Sequence, residues 1–132
     1  MLKREAALAE FQQKIIAAID ISGIKVLSTI LPNCDADTLR QMTDKYHQTY
    51  SSGVVVLGSV IEEKPILIAS ISEDLVKSGL HAGNLVKSIS PVMGGSGGGK
   101  PTLAQAGGKD KEKLEEALEQ VIPYIKGNYK KN

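Results

Sequence analysis

The chain has 132 residues, 42% of them hydrophobic and 23% charged, with a formal net charge of +1. This is the composition of one globular domain with a real core, and no apolar run approaches the ~20 residues that a bilayer crossing needs. The lone cysteine, Cys34, excludes an internal disulfide and a thiolate metal cage, and the absence of an apolar leader predicts a cytoplasmic location.

Residues 3–19 read as a helix, with Leu8, Phe11, Ile15 and Ile19 at helical spacing and charge between them. Its single narrow apolar stripe must pack on the domain or on a partner helix. Ser22-Gly23 breaks it. Residues 24–31 are rich in β-branched side chains and stop at Pro32-Asn33, which predicts a strand. Asp35 or Asp37 caps a helix over 36–50, with Leu39, Met42, Tyr46 and Tyr50 on one face. Residues 53–61 form a second strand, apolar enough to be central. Glu62-Glu63-Lys64-Pro65 reads as a turn, and residues 66–71 return as an antiparallel partner.

A short helical segment from Ser72-Glu73-Asp74 ends at Gly79. Residues 82–90 form a further helix, with Leu85, Val86 and Ile89 inward. A glycine loop follows, then a short strand or a turn over 102–106. Asp110 caps a final helix that buries Leu114, Leu118, Val121 and Ile122, and Pro123 ends or kinks it. The expected fold class is α/β: a mixed sheet of at least three strands packed with helices, preceded by an N-terminal helix.

Charge is uneven along the chain. Residues 1–76 hold seven Lys/Arg against ten Asp/Glu, and residues 77–132 hold nine Lys against five. The basic half carries seven glycines between Gly94 and Gly108, with Lys100 at the rim. Glycine allows close backbone approach and lets N–H groups turn toward an anion, so the segment reads as a phosphate seat.

It is not a P-loop. Gly94 and Gly99-Lys100 have the spacing, but Pro101 replaces the magnesium-binding Ser or Thr, and a helix rather than a strand precedes it. His47 and His81 lie far from any ligand partner: His47 reads as a surface residue, and His81 as a cap or a contact to the loop. No nucleophile triad or paired catalytic carboxylates emerge, so the residues describe a binding module. With no Trp, one Phe and four Tyr, the inventory argues against broad base-stacking platforms, and shape recognition of a folded RNA suits it better. Tyr46 and Tyr50 read chiefly as core.

The segments Ala82-Gly83-Asn84-Leu85-Val86-Lys87, Gly94-Gly95-Ser96-Gly97-Gly98-Gly99-Lys100-Pro101 and Ala104-Gln105-Ala106-Gly107-Gly108 resemble the signature of the DHH-associated domain family. The ending Ala-Gln-Ala-Gly-Gly and the helix after it are most similar to the version at the C-terminus of bacterial alanyl-tRNA synthetases. The resemblance implies a C-terminal module that binds tRNA at its outer corner and links aminoacylation to editing. Its implied partners are alanine tRNA and the other domains of the parent ligase, with no cofactor, metal or membrane. It also implies that residues 1–20 end a connecting helix and 21–132 form the globular domain.

The RNA-facing residues would be Lys87, Gly97, Gly98, Gly99, Lys100, Gln105, Gly107, Gly108 and Lys109. Related phosphoesterases of the family end the glycine motif in His or Arg; Lys100 keeps the charge without the bidentate fork. The DHH catalytic motif is absent. An alternative reading is an interaction module, in which Leu8, Phe11 and Ile15 pair the first helix with a second copy or with the parent protein.

Overall fold

Two tight turns with left-handed backbone set the registers on one side of the sheet. The computed structural model describes residues 2–130, residues 2–8 by their helical backbone. Strand β1 (Ile19–Ile21) turns through Ser22 and Gly23, at φ 55° and 88°, into β2 (Ile24–Ile30). Positive φ at both central residues matches the twist of the flanking strands, and Asp20 Oδ1 accepts the Gly23 N–H at 2.8 Å. The helix expected over 3–19 is therefore shorter. α1 (Leu2–Ile15) closes when the Ala17 and Ala18 N–H groups bond back to the Lys14 and Ile15 carbonyls. Strand pairing takes residues 19–21.

β3 (Gly53–Ile61) and β4 (Lys64–Ile71) are joined by Glu62 and Glu63 alone, at φ 50° and 68°. β4 thus begins two residues before its expected start. Non-glycine residues pay roughly 1–2 kcal/mol in this region, and Asn tolerates it better. Replacing Glu62 by Asn is expected to raise stability by about 0.5–1 kcal/mol, read as a higher urea midpoint.

The six strands run in the order β1-β2-β3-β4-β6-β5, with β5 at Ser96–Gly99 and β6 at Leu103–Gly107. Only β2 and β3 are parallel, joined by the crossover helix α2 (Ala36–Thr49). Asp35 is its cap, accepting the Thr38 N–H at 2.8 Å. Helices α1 and α2 cover one face. Phe11 and Ile15 are buried there with Leu39, Met42 and Tyr46 against Leu27, Val55 and Leu57. Those two α1 residues are used inside the chain, while the Leu8 side chain lies outside the described residues.

The opposite face is covered by α3 (Glu73–Val76), α4 (Ala82–Ile89), α5 (Leu114–Leu118) and α6 (Val121–Asn128). Leu85, Val86, Ile89, Leu114 and Val121 pack there on Val54, Val56, Leu67 and Ala69. β3 is buried on both faces for most of its length, which is why it reads as an unbroken apolar run.

The final helix expected after Asp110 is three pieces: a 3-10 turn at Lys111–Lys113, then α5, then α6. Pro123 stands in the first turn of α6, where a missing N–H costs nothing, so it helps open a helix rather than ending one. Ile125 takes the buried position and Ile122 is half-buried. No helix among the described residues is long and apolar enough to cross a membrane.

Candidate functional site

The segment expected as a glycine loop is a β-hairpin at the edge of the sheet. A 3-10 turn, Ser90–Met93, ends at Gly94 with φ 69°, and the Gly95 N–H bonds back to Ser90 O at 3.1 Å. β5 then pairs antiparallel with β6, Gly97 opposite Ala106 and Gly99 opposite Ala104. β6 pairs with β4, Gly107 opposite Ile66 and Gln105 opposite Ile68.

Glycine is required because the backbones approach too closely for side chains. A Cβ on Gly97 would overlap Gln105 O and the Ala106 methyl, and one on Gly95 would overlap Gly107 O. A Cβ on Gly99 would lie 2.7 Å from Ala104 Cα, and one on Gly108 2.6 Å from Met93 O. Gly107 differs: the nearest atom to its missing Cβ is Pro65 O, at 4.0 Å. Most of the motif's glycines therefore serve packing, and Gly107 faces open space.

Many of the amides that could cradle an anion are already used. At the N-terminus of α4, the Ala82 N–H bonds to Pro101 O at 2.7 Å and the Gly83 N–H to Lys100 O at 3.2 Å. His81 Nδ1 takes the third, from Asn84, at 3.0 Å, which makes His81 the helix cap. On the return strand, Gly108 N–H goes to Pro65 O, and the Lys109 and Asp110 N–H groups both go to Met93 O, each at 3.0 Å. What stays open follows from ladder alternation. The Lys100 N–H bonds to Leu103 O at 2.8 Å, so Gly97 and Gly99 turn their N–H groups outward, to the free edge of the sheet.

Lysines flank this hairpin on every side. The Lys87 stem crosses Gly98 from α4, with Cε 3.2 Å from where a Cβ would stand. Lys100 sits exposed at the hairpin turn. At the other end, about 17 Å away over five residues, Gly94, Gly95, Gly107 and Gly108 wall a cleft of about 550 Å³ between Lys64 and Lys109. An adjoining hollow of about 340 Å³ shares Ile66, Ser96 and Gly107 and reaches Gln105. Lys64, Lys87, Lys100 and Lys109 pair with no carboxylate among the described residues.

The sequence-expected residues thus divide into two stations on one hairpin. Gly97, Gly98, Gly99, Lys87 and Lys100 occupy the free edge and its turn; Gly107, Gly108 and Lys109 line the cleft, with Gln105 beside it. Lys64 was missed. It reads as a turn residue, and the pairing that brings it to the cleft joins strands far apart in the chain, which local spacing cannot reveal.

No aromatic ring is exposed. Phe11 and Tyr46 are buried, and Tyr50, Tyr124 and Tyr129 are half-buried. Tyr46 and Tyr50 donate hydrogen bonds to the Lys25 and Ile15 carbonyls, at 2.6 and 3.2 Å. The surface offers charge and backbone contacts to a polyanion, not stacking.

His47 lies away from the hairpin's cleft and, contrary to expectation, is half-buried, with Nε2 2.7 Å from Ser70 Oγ. Burial holds its imidazole below the usual 6.5. The unfolded chain then binds more protons than the folded one below about that pH, so the stability contributed by neutral His47 is complete above 6.5 and is lost as pH falls toward the folded value. Between pH 7.5 and about 5.5 the thermal midpoint of the parent chain is expected to fall further than that of a His47→Gln variant.

The DHHA1 domain model matches residues 23–127. An alanine–tRNA ligase of Dehalococcoides mccartyi (strain BAV1) is 44% identical over 120 residues, 91% of this chain and 14% of its own length. One from Pelotomaculum thermopropionicum is 44% identical over 128 residues, 96% of this chain and 15% of its own. The chain therefore spans about one seventh of the curated relatives it matches. The C-Ala domain of Aquifex aeolicus alanyl-tRNA synthetase shares the fold, with TM-score 0.72 and 22% identity over 80% of this chain and 95% of that one.

Proposed function

Because the chain belongs to the DHHA1 domain family, and because its similarity to alanine–tRNA ligases runs nearly its whole length, we propose that it is the C-terminal tRNA-docking module of such a ligase. It docks the outer corner of folded tRNA, holding one tRNA within reach of the ligase's aminoacylation and editing domains. The observation that carries this reading is the glycine hairpin with its lysines, unpaired among the described residues. Lys64 and Lys109 flank the cleft, while Lys87 and Lys100 lie beside the outward amides of Gly97 and Gly99.

Contacts of this kind go to phosphates. They fix position on a folded RNA and leave base identity unread. The glycine walls let backbone approach closely, and the absence of an exposed aromatic fits recognition by shape. Lys100 acts as a point charge at the turn rather than as a bidentate clamp.

The test is binding of the chain to whole tRNA and to an acceptor-stem hairpin at 50 and 200 mM salt, conditions chosen for the expected counterion dependence. Tighter binding to whole tRNA, falling steeply with salt, is the expected result. Equal binding to both RNAs would remove the outer corner from the reading, and binding to neither would remove RNA.

A further inference from the structure

The edge of the sheet opposite the glycine hairpin is open, and its α5 side carries the opposite charge. β1 covers β2 only at Ile24–Val26, through pairs such as Ile19 with Val26 and Ile21 with Ile24. The chain leaves the edge there because Ala17 and Ala18 spend their N–H groups on the last turn of α1. Leu27–Ile30 are paired with β3 on one side and, among the described residues, with no strand on the other.

A cleft of about 480 Å³ runs along this stretch. Alternation along β2 puts Ser28 and Ile30 on the α5 side, where the Ser28 hydroxyl donates to Leu118 O at 3.2 Å. Ile30, Leu118 and Ile122 form its apolar floor, Glu115 and Glu119 stand on its α5 side, and Lys14 lines the α1 side, where its Nζ donates to Thr29 Oγ1 at 3.1 Å. Ile16, Ile19 and Ile30 are the large apolar residues the described surface exposes, at 81%, 45% and 36%. All three lie in or next to this edge of the fold. Neither Glu115 nor Glu119 has an ion-pair partner among the described residues.

We propose that the open edge of β2 at Leu27–Ile30 docks an extended polypeptide segment with lysine or arginine at alternate positions, added as a strand beside β2. The spacing favours that occupant. Glu115 and Glu119 are one helical turn apart, about 6 Å, and alternate residues of a strand are about 6.6 Å apart on one face. Two cations in the pattern basic-x-basic therefore meet the two carboxylates together. Their methylene stems cover Ile30 and Ile122, which a short acidic or polar side chain would leave wet. Main-chain hydrogen bonds to the vacant side of β2 supply affinity, and the alternating side chains supply selectivity. The two sheet edges are then divided between partners, an RNA at the basic glycine edge and a basic peptide strand at this one.

The probe is a fluorescein-labelled peptide of alternating lysine and threonine, titrated into the full chain and followed by anisotropy, with an alternating glutamate–threonine peptide beside it. Saturable binding of the lysine peptide alone is expected, together with slowed exchange of the Ser28 and Ile30 amides, which alternation turns to the vacant side. A Glu115→Gln/Glu119→Gln variant, altered only at exposed side chains, is expected to bind at least fivefold more weakly with an unchanged thermal midpoint. Protection of other amides instead, or binding indifferent to the double variant, would overturn the proposal. So would protection of the Ser28 and Ile30 amides that grows with chain concentration and needs no peptide, since a second copy would then hold the edge.

Discussion

A Gly95→Ala substitution is expected to lower the thermal midpoint by about 10 °C or more, the cost of roughly 3 kcal/mol in a domain of this size. One methyl group is enough because of where it must go. It would overlap the Gly107 carbonyl oxygen and stand 2.6 Å from Gly108 Cα. Both neighbours are backbone, and Gly108 is itself held by its N–H bond to Pro65 O at 3.0 Å. Relief requires β5 to peel from β6, which would break the hairpin and uncover Ala104 and Ala106.

Two controls separate close packing from glycine's intrinsic flexibility. Gly107→Ala has its nearest neighbour at 4.0 Å and is expected to leave the midpoint within a few degrees. Gly127→Ala, in α6 with nothing within 4 Å, should be neutral or stabilising by up to about 1 kcal/mol. Thermal unfolding of the three variants distinguishes them. If Gly95→Ala melts with the parent chain, the close strand pairing described here is wrong.

Charge reversal at both ends of the cleft has the largest expected effect on function. A Lys64→Glu/Lys109→Glu variant should bind tRNA at least about tenfold more weakly, with the slope of log affinity against log salt shallower by roughly 1.5. Both side chains are exposed and unpaired among the described residues, so the midpoint should hardly move. Lys100→Ala, at the hairpin turn, should cost less, about threefold, because one phosphate contact is lost without introducing repulsion. An unchanged slope in the double variant would mean that the cleft meets no phosphate.

Much of the fold was legible in the sequence because it is locally encoded. α2 follows from a cap and an amphipathic stripe, β3 from an unbroken apolar run, and the β3–β4 pair from a charged turn between apolar segments. The misreadings come from elements whose conformation depends on distant partners. Ile19 falls on the helical spacing of residues 3–19, but pairing with Val26 makes it the start of a strand. Residues 96–99 have no side-chain pattern to announce a strand, because closeness to β6 forbids side chains at Gly97 and Gly99. Pro123 reads as the end or kink of a helix because sequence alone does not show on which side of a break it lies.

The site was legible in composition and not in geometry. A glycine run with lysines points to anions, and the resemblance of its motif points to tRNA. The pairing that carries Gly107 to Ile66 is what brings Lys64 opposite Lys109, and it also spends the α4 amides on Lys100 and Pro101 carbonyls. A sequence reading therefore does not show which amides of the glycine segment stay open, and it undervalues the cleft at the far end of the hairpin.

The most direct measurement is the amide chemical-shift map of the isotopically labelled chain titrated with whole tRNA. Changes are expected at Gly94–Ser96, Gly107–Lys109 and Lys64, with weaker ones at Gly97–Lys100. Saturable binding that leaves those amides unmoved, or moves only those of α1 and the β1–β2 edge, would contradict docking at the glycine hairpin.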